Sequence, residues 1–326
     1  MKAVKVFLTG GSGRIGRRVE GKLLERGYAV RSLVHRPRPH SPAHPGLELV
    51  QGDILDQEGL KRMVPGCSFV VHLAAAWDMF PPAVFEKENN QLFESVVRGT
   101  YNMLEASRAT GGLGCFLYAS TDATYATGPR KFSAPITEDT ELQPSRFYAL
   151  AKIVCEEMCR QYGKLYGLPW LIVRICWCLD VDEILRIFQY DFWEGGLAEE
   201  DKARLAPLLR GGKGVFAPLM PDGGSGVDHV SDPEDIAEGI VLGVVNHAAG
   251  LGGVYNLAGP ASFRYRDLIE KLAADLGVPW GEAPVKGIEP YELSTEHARR
   301  VLGYDPQYPI ERMLVNAVRH TKEKKK

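Results

Sequence analysis

Thr9-Gly10-Gly11-Ser12-Gly13-Arg14-Ile15-Gly16 follows an apolar run, Val4–Thr9, and opens an amphipathic stretch, Arg14–Arg26. The side-chain period changes there from that of a strand to that of a helix. Gly10, Gly13 and Gly16 are spaced for a tight turn, for close approach of a pyrophosphate to the backbone, and for packing of helix on strand. The amide groups and positive dipole end of the helix then face the phosphates. A glycine triplet by itself means little. Between a strand and a helix it predicts a dinucleotide site, with Gly10, Gly13, Arg14, Ile15 and Gly16 as its nearest residues.

The alternation continues outward from this unit. Ala29–Val34, Leu47–Gln51, Phe69–Ala75, Phe116–Ser120 and Leu171–Ile175 are further candidate strands, with helices near Phe85–Ala109 and Tyr148–Tyr166. Near-continuous apolar strands spaced by helices imply a parallel sheet covered on both faces. Right-handed crossovers make it a doubly wound α/β fold of the Rossmann kind. After Ile175 the rhythm breaks. Val181–Phe192 and Glu199–Leu209 read as helices, and Gly211–Gly226 is rich in Gly and Pro. Val254–Leu257 returns to a strand pattern, followed by helices over Ser262–Leu276 and 294–302. Residues 1–175 with about 229–259 are therefore expected to form the dinucleotide-binding domain. About 176–228 and 260–315 are expected to form a smaller, mostly helical substrate lobe over the carboxyl edge of the sheet, and 316–326 a basic tail whose end, Lys322–Lys326, is solvated.

Composition excludes several classes of function. The 326 residues carry 39 basic and 41 acidic side chains, a formal net charge of -2, which gives no strong electrostatic hold on nucleic acid or an anionic membrane. No stretch approaches the ~20 apolar residues that span a bilayer. Lys5 and then Thr9-Gly10-Gly11 interrupt the first apolar run before a signal-peptide core could form. Six cysteines are too sparse for a disulfide scaffold, and no Cys-x-x-Cys accompanies a His cluster, so neither disulfides nor a bound metal is expected. Buried thiols in a cytoplasmic protein are the expectation.

The second strand ends Val34-His35-Arg36. A chain choosing NAD would be expected to carry an acid there for the ribose 2′-hydroxyl. Arg36, Arg38 and Arg14 instead offer charge-assisted bonds to a 2′-phosphate, which favours NADP over NAD. Gly52-Asp53-Ile54 follows the third strand, where the Asp53 carboxylate can take an adenine amino group and Ile54 can cover the ring.

Tyr148-Ala149-Leu150-Ala151-Lys152 puts a phenol and an ammonium one helical turn apart. A free phenol, with a pKa near ~10, is a poor base at neutral pH, and a nearby cation favours the phenolate. Such a tyrosine can pass a proton to or from a substrate oxygen while a nicotinamide exchanges hydride. Tyr118-Ala119-Ser120-Thr121-Asp122 ends the fifth strand on the ligand edge. A hydroxyl there can hold the reacting oxygen; Thr121 is the first choice and Ser120 the second. Cys155 and Cys159 share the Tyr148/Lys152 helix face and read as packing.

These residues resemble the extended short-chain dehydrogenase/reductase family, its NAD(P)-dependent epimerase/dehydratase group especially. The resemblance covers nearly the whole chain. It runs from the glycine loop through Val70-Val71-His72-Leu73-Ala74-Ala75, Gly99-Thr100-Tyr101-Asn102, Ser120-Thr121 and Tyr148…Lys152 to Pro169–Arg174, Val227-Asp228-His229-Val230 and Ala298–Tyr304. It implies a catalytic Thr121/Tyr148/Lys152 triad, a ribose contact from Lys152, and a cofactor lined by Leu73, Ala74 and Ala75. Three positions depart from the sugar-nucleotide pattern. Trp177 stands where an Asn is usual, Val96 where the preceding helix often has an Asn, and Ala123 where dehydratases carry a Glu. The last makes water elimination by their route doubtful.

The resulting expectation is an NAD(P)-dependent oxidoreductase/epimerase acting by hydride transfer at an alcohol/carbonyl carbon. Its substrate would be a small molecule (a sugar, nucleotide sugar, ketone or aldehyde), and its form a homodimer. A nucleotide-sugar epimerase proper and a non-catalytic NADP-sensing protein are the alternatives. Trp77, Phe80, Trp177, Phe192 and Trp193 can line an apolar substrate pocket or simply fill the core.

Overall fold

The computed structural model describes residues 4–36, 44–75 and 89–324. Along the chain run β1 (Lys5–Thr9), α1 (Arg14–Glu25), β2 (Ala29–Val34), β3 (Leu47–Gln51), α2 (Gln57–Met63) and β4 (Phe69–His72). Next come α3 (Asn89–Leu92), a wide π-turn (Phe93–Arg98), α4 (Gly99–Thr110), β5 (Cys115–Thr121), α5 (Phe147–Tyr166) and β6 (Trp170–Ile175). They are followed by α6 (Tyr190–Trp193), α7 (Glu199–Leu209), β7 (Val215–Leu219), β8 (Val227–Asp228), α8 (Pro233–Val245), α9 (His247–Gly250) and β9 (Val254–Leu257). The chain closes with β10 (Phe263–Arg264), α10 (Tyr265–Leu276), β11 (Trp280–Pro284), α11 (Glu296–Leu302) and α12 (Ile310–Lys324).

Seven strands form one parallel sheet in the order β3-β2-β1-β4-β5-β6-β9. Alternate residues along each strand face opposite sides. Val6, Leu8, Val71, Leu117 and Val173 bury against α1 and α8, while Phe7, Val70, Phe116, Tyr118 and Ile172 bury against α2, α4 and α5. The strand order reverses direction between β1 and β4, so the carboxyl ends of these two strands flank the crevice where doubly wound sheets bind ligands.

A separate core gathers Leu179, Ile184, Phe188, Val215, Tyr265, Ile269 and Met313. Two small sheets support it, β7 parallel to β11 and β8 antiparallel to β10. Strand β7 lies inside the Gly/Pro-rich run, and Pro218 is tolerated because this pair has open edges. The stretch expected as one helix over Val181–Phe192 is instead a 3-10 segment, Ile184–Phe188, then α6, broken by extended backbone at Gln189. The break lets Phe188 enter one core and Tyr190 another, with Leu209 and Phe216. The expected start of the tail at 316 is also corrected, although Lys322, Glu323 and Lys324 are exposed as expected. Helix α12 continues to Lys324 and buries Ala317 and Val318, and both His320 and Lys324 reach Asp182. Helix α8 went unread in the sequence, although Asp232 caps it through the Glu234 amide and Pro233 occupies its first turn, both ordinary start signals.

Candidate active site

The glycine loop closes on itself at the end of β1. The Gly13 amide donates to the Gly10 carbonyl at 3.0 Å, and Gly10 has φ +75°. A Cβ on Gly16 would lie 2.1 Å from the Gly10 carbonyl oxygen, and one on Gly10 would lie 2.9 Å from the Ala74 nitrogen. Neither position admits a side chain. Gly13 caps α1 without a side-chain hydrogen bond, and the first turn holds no acid, so its amides face the crevice. The cradle therefore fits a pyrophosphate. Arg14 is committed elsewhere: its guanidinium pairs with Glu183.

The other wall is the exit of β4, held by a buried relay. The Ala74 amide donates to Thr9 Oγ1 (3.2 Å), which lies 2.7 Å from His72 Nδ1; His72 Nε2 is 3.1 Å from Thr100 Oγ1, which donates to the Val96 carbonyl (2.6 Å). Because Thr100 donates onward, His72 carries its proton on Nε2 and accepts at Nδ1. Burial, with the Lys152 charge nearby, lowers its pKa to about 3, so it is neutral. This relay fixes Leu73, Ala74 and Ala75, all half-buried, beside Gly10.

At the end of β2, Arg36 is exposed, and the His35 ring lies 3.8 Å from Asp53. Asp53 accepts from the Leu55 amide at 2.9 Å. Ile54 packs beneath Gly99, with its carbonyl held by Asn102 at 3.1 Å. Arg38, Trp77 and Phe80 lie outside the described residues.

Tyr148 and Lys152 share one face of α5, with the Lys152 ammonium 5.8 Å from the centre of the Tyr148 ring. The ammonium donates to the Ala119 carbonyl at 2.7 Å and lies over Tyr118 at 4.9 Å. Burial lowers the Lys152 pKa to about 8. Burial and the Asp122 carboxylate raise the Tyr148 pKa, against a smaller opposing effect of Arg14. Strands β1, β4 and β5 run parallel, so the glycine loop after Thr9 and the residues at Thr121 lie on the same edge of the sheet.

Thr121 ends β5. Its hydroxyl donates to Asp122 Oδ1 at 3.1 Å and accepts from the Ala123 amide at 3.3 Å. Ser120 turns inward, donating to Glu156 at 2.6 Å. Asp122 is buried, and burial raises its pKa to about 6. Asp228, which accepts from the Tyr265 hydroxyl at 2.6 Å, is pushed up to about 7 by burial and by Asp122. The sequence pattern does not reveal this acidic pair, because Asp122 opens the turn after β5 and Asp228 ends β8, far apart in the chain. Trp177 stacks on Phe192 at 5.8 Å, and Phe192 meets Trp193 edge-on at 4.8 Å. Trp193 also donates to the Ile187 carbonyl and packs into the smaller core. All six cysteines are buried and none is paired. Among the described residues, no group of three His, Cys, Asp or Glu could hold a metal, and no helix is long and apolar enough to cross a membrane.

Comparison with known proteins identifies relatives of the whole chain. A UDP-glucose 4-epimerase of Corynebacterium glutamicum is 27% identical over 96% of this chain and 94% of its own length. A short-chain dehydrogenase/reductase superfamily protein of Agrobacterium tumefaciens, solved with bound NAD, superposes with a TM-score of 0.80 at 28% identity, covering 99% of this chain and 100% of its own. The dTDP-glucose 4,6-dehydratase DesIV of Streptomyces venezuelae, solved with NAD, superposes at 0.75 with 25% identity, covering 98% of this chain and 97% of its own. The model of the NAD dependent epimerase/dehydratase family matches residues 6–178, the part that carries the glycine loop, the β4 exit, Thr121, Tyr148 and Lys152, and the chain belongs to that family.

Proposed function

We propose that the protein is an NAD-dependent oxidoreductase/epimerase that moves hydride at an alcohol/carbonyl carbon, with Tyr148 as general acid/base. What supports this reading is the Tyr148/Lys152 pair on α5, with the Lys152 ammonium on the Ala119 carbonyl two residues before Thr121, beside a glycine cradle that admits no side chain. The nucleotide would lie across residues 1–175 and about 229–259, between the α1 amides and Leu73, Ala74 and Ala75. Lys152 would reach its ribose, and Asp53 and Ile54 its adenine. When bound, the nicotinamide accepts or returns hydride. Tyr148, kept protonated by its surroundings, is set to give a proton to a carbonyl oxygen held by Thr121, and the reverse step returns it.

NAD is preferred to NADP in this proposal. Arg14 is engaged by Glu183, leaving Arg36 as the exposed arginine at the end of β2 among the described residues. The two relatives solved with NAD support the same choice. The substrate is a hydroxylated small molecule of the sugar or nucleotide-sugar class, held by the lobe of about 176–228 and 260–315. Ala123, in the place of the dehydratases' Glu, argues for oxidation or epimerisation over dehydration. A cytoplasmic homodimer is the proposed form, since Phe93, Tyr101, Leu150 and Val154 leave apolar surface exposed around α4 and α5.

The test is nicotinamide absorbance against a panel of sugars, nucleotide sugars and ketones, with calorimetric titration of NAD and NADP. NAD should bind at least as tightly as NADP. Tenfold tighter NADP would return Arg36 to the 2′-phosphate, and no turnover across the panel would remove the proposed activity. Cofactor retained through purification would mark an epimerase, and cofactor lost a dehydrogenase.

A further inference from the structure

Behind the site lies a charged group that the proton transfer just described does not use. Glu156 is 0% exposed, one turn beyond Lys152 on α5. Its Oε1 accepts from Ser120 at 2.6 Å and from Arg174 Nε at 2.9 Å. Its Oε2 accepts from Arg174 Nη2 at 2.7 Å and from Arg160 at 2.9 Å. Arg174, 2% exposed on β6, is the register partner of Ser120 and also donates to Tyr125 and the Glu138 carbonyl. Breaking such a pair would leave a buried charge without compensation, so it resists displacement.

The arrangement joins three elements at one level of the sheet. Helix α5 holds the last residues of β5 at two successive points, Lys152 on the Ala119 carbonyl and Glu156 on the Ser120 hydroxyl. The next residue is Thr121. Tyr148 lies one turn before Lys152 on the same helix, so any slip of α5 along β5 changes the separation of the Thr121 hydroxyl and the Tyr148 phenol. Rates respond steeply to such slips: a displacement of ~1 Å can cost ~100-fold.

We propose that Ser120 and Glu156 are positioning residues, which set the spacing of Thr121 and Tyr148 by tying the end of β5 to α5 through the Arg174 ion pair. The proposal rests on the hydride-transfer reading above. It also gives Ser120 a separate role from its neighbour: the two adjacent hydroxyls divide into one that supports the strand end and one that meets the substrate oxygen.

Ser120→Ala removes the tie and leaves the ion pair intact. In the full-length protein, with a substrate the parent turns over, kcat should fall about 10- to 100-fold. The KM for NAD, and the NAD affinity measured by calorimetry without substrate, should stay within about threefold. Ser120→Cys, nearly the same size but a weaker donor, should fall between the two; it serves alone by the same criteria should the alanine variant not fold. A kcat within threefold of an active parent would overturn the positioning role. So would parallel loss of kcat and NAD affinity, which marks a merely structural part. A parent inactive on every substrate overturns the proposed function and this inference with it, whereas an active parent with an unaffected Ser120→Ala variant overturns this inference alone.

Discussion

The Lys152 ammonium lies 5.8 Å from the centre of the Tyr148 ring while donating to the Ala119 carbonyl at 2.7 Å. The spacing in sequence requires their adjacency, but their protonation states follow from burial. Desolvation disfavours the charged form of each, raising the phenol's pKa and lowering the ammonium's. The pair therefore rests as a neutral phenol beside a cation, an arrangement suited to proton donation.

Tyr148→Phe keeps the ring and deletes the proton. Turnover should fall by ~100- to 10,000-fold, the usual contribution of general acid–base catalysis, with NAD affinity by calorimetry nearly unchanged. Turnover within a factor of three of the parent would remove Tyr148 from the mechanism.

Lys152→Met should lower both turnover and NAD affinity, since the proposed role of the ammonium includes the ribose. Its stability signature is separate. The folded pKa, about 8, lies below the ordinary 10.5, so the unfolded chain binds more protons between those values, and the parent gains stability as pH rises through that window. Denaturation at several pH values should show the variant's advantage over the parent shrinking from about pH 7 to pH 10. A difference that does not change with pH would contradict the buried, cationic assignment.

Asp228→Asn tests the acidic pair. Burial and Asp122 raise the Asp228 pKa to about 7 from an ordinary 3.8, so the folded state binds the extra proton and the parent loses stability as pH rises through about 4 to 7. Asn mimics the protonated acid at every pH. Melting curves should show the variant gaining on the parent toward pH 8, each unit of pKa shift corresponding to about 1.4 kcal/mol. A gain that is largest in acid would reverse the assignment.

Gly16→Ala places a Cβ 2.1 Å from the Gly10 carbonyl oxygen, with backbone on both sides of the contact. The loop must open, so NAD affinity should fall more than about tenfold, with a lower melting temperature from the strained packing. Calorimetric affinity equal to the parent would mean that the cradle is not where the pyrophosphate sits.

Local chemistry made the strand–glycine–helix unit, the parallel sheet and the adjacency of Tyr148 and Lys152 legible from the residues alone. Each rests on a period or a spacing within a single element: a glycine triplet, an apolar run, a phenol and an ammonium one turn apart. What tertiary structure decided are relations between elements distant in the chain. Glu183 pairs with the Arg14 guanidinium across 169 positions, Asp228 lies buried within reach of the Asp122 charge, and Glu156 ties Ser120 to Arg174. Gln189 breaks an otherwise helical pattern because Phe188 and Tyr190 belong to different cores. The last residues are helical because Ala317 and Val318 find an apolar surface that the charged composition of the tail does not announce. Periodicity reports what a segment prefers; burial, which sets pKa values and partners, depends on what the rest of the chain packs against it.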